Sequence, residues 1–136
     1  MPRFPSAAWV DSYVEKLDAS EAYREAGRTW EGDILFVVQR DENFPKDCYI
    51  YLDLYHGACR KHDYAEGEPA TLPQAEFSYI GPFRNWVRLL KGEIDPIRGL
   101  MTGKFKLKGS MMKIMRYSKA AKEMVNATTA VDSTFD

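Results

Sequence analysis

The chain carries little that can do covalent chemistry. Its 136 residues include two cysteines and two histidines. It has no Gly-x-Ser-x-Gly elbow and no glycine-rich phosphate loop, and no serine or cysteine stands out as a nucleophile with a matching base. These absences point away from an enzyme. No apolar run approaches the roughly 20 residues needed to span a bilayer, and the first residues turn charged too soon for a secretory leader. The expectation is a cytoplasmic protein in which Cys48 and Cys59 stay reduced. Charge of either sign is also not in excess. Nineteen Lys and Arg face 20 Asp and Glu, a net of −1, which argues against a surface that binds nucleic acid as a whole.

Hydrophobic residues make up 45% of the chain and aromatic ones 13%, enough for one domain with a real core. That domain is expected over residues 1–127, and 128–136, rich in Thr, Ala, Asp and Ser, reads as a flexible C-terminal tail. Val10, Val14 and Leu17 repeat at helical spacing behind a Ser6 cap, and Ser20 caps a short second helix. Ile34, Leu35, Phe36, Val37 and Val38 form a β-branched and aromatic run without alternation, the pattern of a strand covered on both faces. From Cys48 the pattern alternates, with Ile50, Leu52 and Leu54 on one side and Tyr49, Tyr51, Asp53 and Tyr55 on the other. Gly57 permits a turn into a third strand, and after a loop over 65–75 a fourth strand begins at Phe77. Phe83, Trp86, Val87 and Leu90 then mark a helix, and Asp95 caps another. The order predicts an α+β domain, a mostly antiparallel sheet of about five strands covered on one face by helices, with an apolar seam between the layers.

Residues 101–116 are the most telling stretch, because they contain no acidic side chain and join an amphipathic strand to a methionine-rich segment. Phe105 and Leu107 are expected on one face of a strand over 104–108, with Lys104, Lys106 and Lys108 on the other. Ser110 caps a helix whose apolar surface runs through Met111, Met112, Ile114, Met115, Ala121, Met124 and Val125. Methionine adapts its shape to what it touches. Every charged residue between 104 and 122 is basic, so Lys104, Lys106, Lys108, Lys113 and Arg116 are expected to steer the protein to an anionic membrane surface.

These residues resemble a known family, the SCP2 sterol-carrier or lipid-transfer domains. The resemblance rests on Tyr23 with Trp30, Glu31, Gly32, Asp33 and Ile34; on Tyr51, Leu52, Asp53, Leu54, His56 and Gly57; and on Trp86 with Leu89 through Pro96. Its most specific piece is the run of Met101, Thr102, Gly103, Lys104, Phe105, Lys106, Leu107, Lys108 and Gly109. The resemblance implies a hydrophobic tunnel between sheet and helices that takes a fatty acid, fatty acyl-CoA, sterol or similar apolar ligand, with no chemistry of its own. By position the wall is expected to include Phe36, Val38, Leu52, Leu54, Phe77, Trp86, Leu90, Phe105, Leu107, Met111, Met112 and Met115.

Other constellations are weaker. His56, Cys59 and His62 have metal-ligand types, but in an extended strand Cys59 points away from the two histidines, so no metal and no cofactor is expected. Asp53 with His56, or Asp63 with His62, offers acid–base pairs with nothing to serve. Lys104, Phe105 and Lys106 have the alternation of a single-strand nucleic-acid groove, yet one aromatic on the apolar face is a core strand first. The reading is therefore an intracellular, non-enzymatic lipid carrier. The alternative is an accessory or dimerisation module with a filled seam, which docks onto a partner enzyme or a second copy.

Overall fold

A computed structural model describes residues 1–68 and 72–135. Its elements are α1 (Ala7–Ala19), α2 (Glu21–Ala26), β1 (Glu31–Gln39), β2 (Cys48–Tyr55), β3 (Ala58–Glu66), β4 (Phe77–Pro82), α3 (Phe83–Leu90), α4 (Pro96–Met101), β5 (Lys106–Lys108), α5 (Met111–Arg116) and α6 (Ser118–Thr129). The strands form one sheet in the order β3-β2-β1-β4-β5, in which only the central β1–β4 pair is parallel. Part of the expected 65–75 loop, residues 69–71, lies outside the described residues.

Local chemistry sets most boundaries. Ser6, Ser20, Asp95 and Ser110 each accept a backbone N–H at the start of a helix, as their spacing predicts. His56 and Gly57 take positive φ values of 50° and 82° and form the two-residue turn between β2 and β3. At Gly81 the missing side chain is used by packing, because a Cβ there would sit 2.5 Å from the Phe105 ring.

Four expectations need correction. β1 is covered on one face only: Ile34, Phe36 and Val38 are buried while Leu35 and Val37 are half-buried. On the open face Leu35 sits opposite Tyr51 and Val37 lies between Tyr49 and Ile80, so cross-strand neighbours shield what no helix covers. The fifth strand is shorter than 104–108, because the Lys104 and Phe105 amides both donate to the Gly99 carbonyl and the Lys104 carbonyl accepts from Asn85 Nδ2. The helix expected from Met111 through Val125 breaks at Tyr117, whose ring meets Trp30 edge-on at 5.1 Å and whose hydroxyl lies 3.1 Å from the Thr29 hydroxyl.

The fourth correction is the tail. Thr128 ends in the core, Val131 is buried and Phe135 packs against Phe4. The Phe4 amide donates to the Thr134 carbonyl at 2.8 Å and Trp9 Nε1 donates to Ser133 Oγ at 2.8 Å. Two apolar side chains in a polar segment are enough to hold it on the N-terminal strap, and Asp136 lies outside the described residues.

Candidate ligand-binding cavity

The inward face of the sheet supplies the floor of one apolar cavity. Ile34 and Phe36 from β1, Tyr79 from β4 and Leu107 from β5 lie on it. Their common orientation follows from the two-residue repeat of neighbouring strands in register. Across it runs α6, which contributes Ala120, Ala121, Met124, Val125 and Thr128. These are spaced i, i+1, i+4, i+5 and i+8, one stripe of a helix. Trp86 and Leu89 of α3, Pro96, Ile97 and Leu100 of α4, Ile114 of α5, and Tyr23, Trp30 and Tyr117 complete the wall.

The cavity is narrow, about 50 Å³. For scale, an engineered apolar cavity of roughly 150 Å³ accepts benzene. A chain of many carbons therefore enters only if the cover moves. The six-residue helices α2, α4 and α5 are the shortest parts of that cover, too short to hold helical structure without their packing, and of them only α4 and α5 carry exposed methionines.

No Lys, Arg, His, Asp or Glu lines the wall, and nearly every polar atom on it is already engaged. Trp86 Nε1 donates to the Val37 carbonyl at 3.0 Å and Trp30 Nε1 to the Gly32 carbonyl at 2.9 Å. The Tyr79 hydroxyl donates to the Pro96 carbonyl at 2.8 Å, and the Thr128 hydroxyl to the Val125 carbonyl at 2.6 Å. The exception is Tyr23, 1% exposed, whose hydroxyl is buried without a partner among the described residues. Burial raises the Tyr23 and Tyr79 phenols well above their ordinary range, so both stay protonated at neutral pH.

An apolar cavity between a five-stranded sheet and helices has known counterparts. The sequence profile of the SCP-2 sterol transfer family matches residues 12–122. The chain belongs to this family. Among solved structures it is similar to a crystal structure of sterol carrier protein 2, at 38% identity and a TM-score of 0.84, covering 93% of this chain and 97% of that one. It is equally similar to a conserved hypothetical protein from Thermus thermophilus, at 38% identity and a TM-score of 0.83 over 95% and 90% of the two chains. Apo sterol carrier protein 2 from Yarrowia lipolytica, at 20% identity and a TM-score of 0.58 over 94% of each chain, shares the fold. No curated protein matches the sequence.

Within this SCP-2 fold, three of the expected wall residues, Phe36, Trp86 and Leu107, do line the cavity. Val38, Leu52, Leu54, Phe77 and Leu90 are buried in the core beside it. Phe105 is buried too, stacked on Tyr79 at 4.6 Å and edge-on to Trp86 at 5.2 Å, so it supports the wall from behind. Met111, Met112 and Met115 are on the outside, 45%, 74% and 47% exposed. Helix geometry explains this. With about 100° per residue, Met112 lies nearly opposite the inward Ile114, and Met111 and Met115 lie between them, both on one side.

The basic residues divide in the same way. Lys106, Lys108 and Arg116 are exposed and Lys104 is half-buried. Lys113 turns inward: its ammonium donates to the Glu31 carbonyl at 2.7 Å, pairs with the Glu76 carboxylate at 3.1 Å and sits over the Trp30 ring at 4.7 Å. It ties α5 to the sheet. His56 pairs with Glu31 at 2.7 Å and His62 with Asp11 at 3.0 Å, two separate surface contacts, and no group of three metal-ligating side chains occurs among the described residues. Among them, too, no helix is long and apolar enough to cross a membrane.

Sequence reasoning put Ile114, Ala121, Met124 and Val125 on an apolar helix surface without naming them as wall, and missed Tyr23, Trp30, Ile34, Tyr79, Leu89, Tyr117, Ala120 and Thr128, along with the α4 contribution. The i, i+1, i+4, i+5, i+8 stripe on α6 was the available signal, and it is a better one than methionine content.

Proposed function

We propose that the protein binds and carries a long-chain lipid, without catalysis, in the cavity between the sheet and α6. The observation behind this reading is a wall of apolar and aromatic side chains together with Thr128, whose hydroxyl is spent on the Val125 carbonyl, and with no Lys, Arg, His, Asp, Glu or Cys among them. Membership of the SCP-2 sterol transfer family supports it. The lipid enters as α4 and α5 give way and Lys113 releases Glu31 at the start of β1 and Glu76 before β4. Burying a sixteen-carbon chain contributes roughly 12 kcal/mol at about 0.8 kcal/mol per methylene. Association and opening consume several kcal/mol, which leaves affinity near the micromolar range, about −8 kcal/mol. Titration of delipidated protein with a pyrene-labelled long-chain lipid tests this. Saturable one-to-one binding at low micromolar concentration is expected. No saturation up to high micromolar concentration, together with a dimer in solution, would favour the filled accessory module.

Loading takes place at anionic membranes through the outer face of α5. Met101, at 79% exposure, and the three methionines of α5 account for all but one of the exposed large apolar side chains among the described residues. Met101 follows wall residue Leu100, Met111, Met112 and Met115 lie on either side of wall residue Ile114 along the chain, and Lys106, Lys108, Arg116 and Lys119 of the same stretch are exposed. Flexible thioethers suit a lipid interface, and each cation near an anionic surface adds about 1 kcal/mol. Vesicle co-sedimentation is expected to need anionic lipid. It is also expected to weaken at 1 M salt, where screening acts within about 3 Å. Equal recovery on neutral vesicles would contradict the docking.

A further inference from the structure

We propose that α5 is a lid whose catch, the Lys113 ammonium, is drawn away from Glu76 by the lipid phosphates of an anionic membrane, so that the cavity opens where the protein docks. This rests on the lipid-carrier and docking readings and adds what opens the cover. The two halves of the catch differ in their support. Glu76 is fixed to the sheet: its backbone amide donates to Asp33 Oδ1 at 2.7 Å, and Asp33 Oδ2 accepts the Tyr51 hydroxyl at 2.7 Å. Lys113 sits on a six-residue helix that breaks at Tyr117, and the next residue, Ile114, lines the cavity. The seat of the ammonium has a specific shape. A Cβ on Gly32 would lie 2.9 Å from Glu76 Oε1 and 3.4 Å from Lys113 Nζ, so any side chain there would crowd the pair. The ammonium stands 4.7 Å from the centre of the Trp30 ring and 5.5 Å from that of Phe77, and Trp30 is itself wall. The catch therefore fastens the lid against the cavity it covers.

Charge makes this catch respond to a surface. The strand ends that Lys113 joins carry Glu31, Asp33 and Glu76, with Glu31 shared by His56. The lid and the start of α6 carry Lys113, Arg116, Lys119 and Lys122, with no acidic residue before Glu123. An anionic surface attracts the lid and repels the carboxylates to which it is fastened. The Lys113 side chain is 29% exposed and that of Glu76 47%, so a phosphate reaches the pair from solvent. A phosphate oxygen replaces the carboxylate as a charge-assisted acceptor, and the exposed methionines of the lid enter the interface. In a zwitterionic bilayer each phosphate is already balanced by its own ammonium, and the catch stays closed.

The experiment is release of a pyrene-labelled long-chain lipid from preloaded protein into excess phosphatidylglycerol or phosphatidylcholine vesicles, followed by stopped-flow fluorescence. Wild type is expected to release roughly tenfold faster into the anionic vesicles, the scale of one charge-assisted contact. Glu76→Gln and Lys113→Gln are expected to release into neutral vesicles nearly as fast as wild type does into anionic ones, while Glu76→Gln still co-sediments with anionic vesicles like wild type. Arg60→Gln, which breaks a surface pair with Asp53 at 3.2 Å on the edge strand β3, is expected to keep both wild-type rates. Inorganic phosphate added with neutral vesicles at constant ionic strength is expected to change nothing, because it presents no surface. An anionic advantage that survives in both catch variants, or free phosphate that accelerates release as much as anionic vesicles do, overturns the catch and leaves carrier and docking intact. So does a wild type that co-sediments with anionic vesicles yet releases at one rate into both kinds. A wild type that binds no pyrene lipid, or that is recovered equally on both vesicles, overturns the underlying reading together with the catch.

Discussion

The cavity wall and the outer face of α5 are both apolar, yet they are built from different side chains. Apart from Met124, the wall uses rings and branched or small residues of fixed shape, such as Phe36, Trp86, Ile34 and Ala120, all buried. The outer face uses unbranched methionines among lysines and arginine, open to solvent. A wall of fixed shapes defines a space that α4 and α5 must open, whereas thioethers accommodate whatever surface they meet. The difference teaches that the adaptable apolar side chains lie mostly at the surface of this protein and those of fixed shape mostly inside it.

The comparison is broken most forcefully at Trp86. This ring packs on Phe36 at 5.2 Å, Tyr79 at 5.7 Å and Phe105 at 5.2 Å. Trp86→Ala is expected to cost about 3–5 kcal/mol by denaturant unfolding. Met112→Ala on the outer face is expected to stay within about 0.5 kcal/mol. A loss above 1 kcal/mol at Met112 would mean that the outer face is packed. Next in size is Ala120→Phe. With about 50 Å³ to grow into, the ring overpacks at about 1–3 kcal/mol and also blocks the ligand, while Met112→Trp changes neither melting temperature nor lipid capacity. Lipid capacity that survives Ala120→Phe would move the ligand elsewhere.

Lys113 joins the two regions, and its effect is expected to be smaller. Removing its contacts to the Glu31 carbonyl and Glu76 by Lys113→Ala costs about 1–2 kcal/mol at most for a partly exposed group. The change should appear as faster amide exchange in α5, with β1 and β2 unchanged. Uniform acceleration across the sheet would deny that Lys113 is a local tie. The smallest stability effect belongs to the Met111/Met112/Met115→Ser triple variant, whose melting temperature should hardly move although anionic-vesicle recovery falls severalfold. Unaltered recovery would leave the docking to lysines alone.

Strand alternation and helical spacing made Phe36, Trp86 and Leu107 legible in the sequence, because both periods report which face a side chain takes. They do not report which buried residue borders a gap. Leu52 and Leu54 share the inward direction of Phe36 yet lie in filled core, since the path of α6 over the sheet decides where space remains. The break at Tyr117 was hidden for a similar reason. It depends on Trp30 and Thr29, far away along the chain. In the tail, Val131 and Phe135 were visible as isolated apolar residues, but only the burial of Val131 and the packing of Phe135 on Phe4 show them to be part of the domain.

Lipid occupancy of the cavity is tested most directly by native mass spectrometry of delipidated protein reloaded with 1-hexadecanol, comparing wild type, Met112→Trp and Ala120→Phe. One alcohol per chain is expected in wild type and Met112→Trp, and none in Ala120→Phe. Equal loading of all three, or an empty wild-type chain, would contradict a carrier whose ligand lies between the sheet and α6.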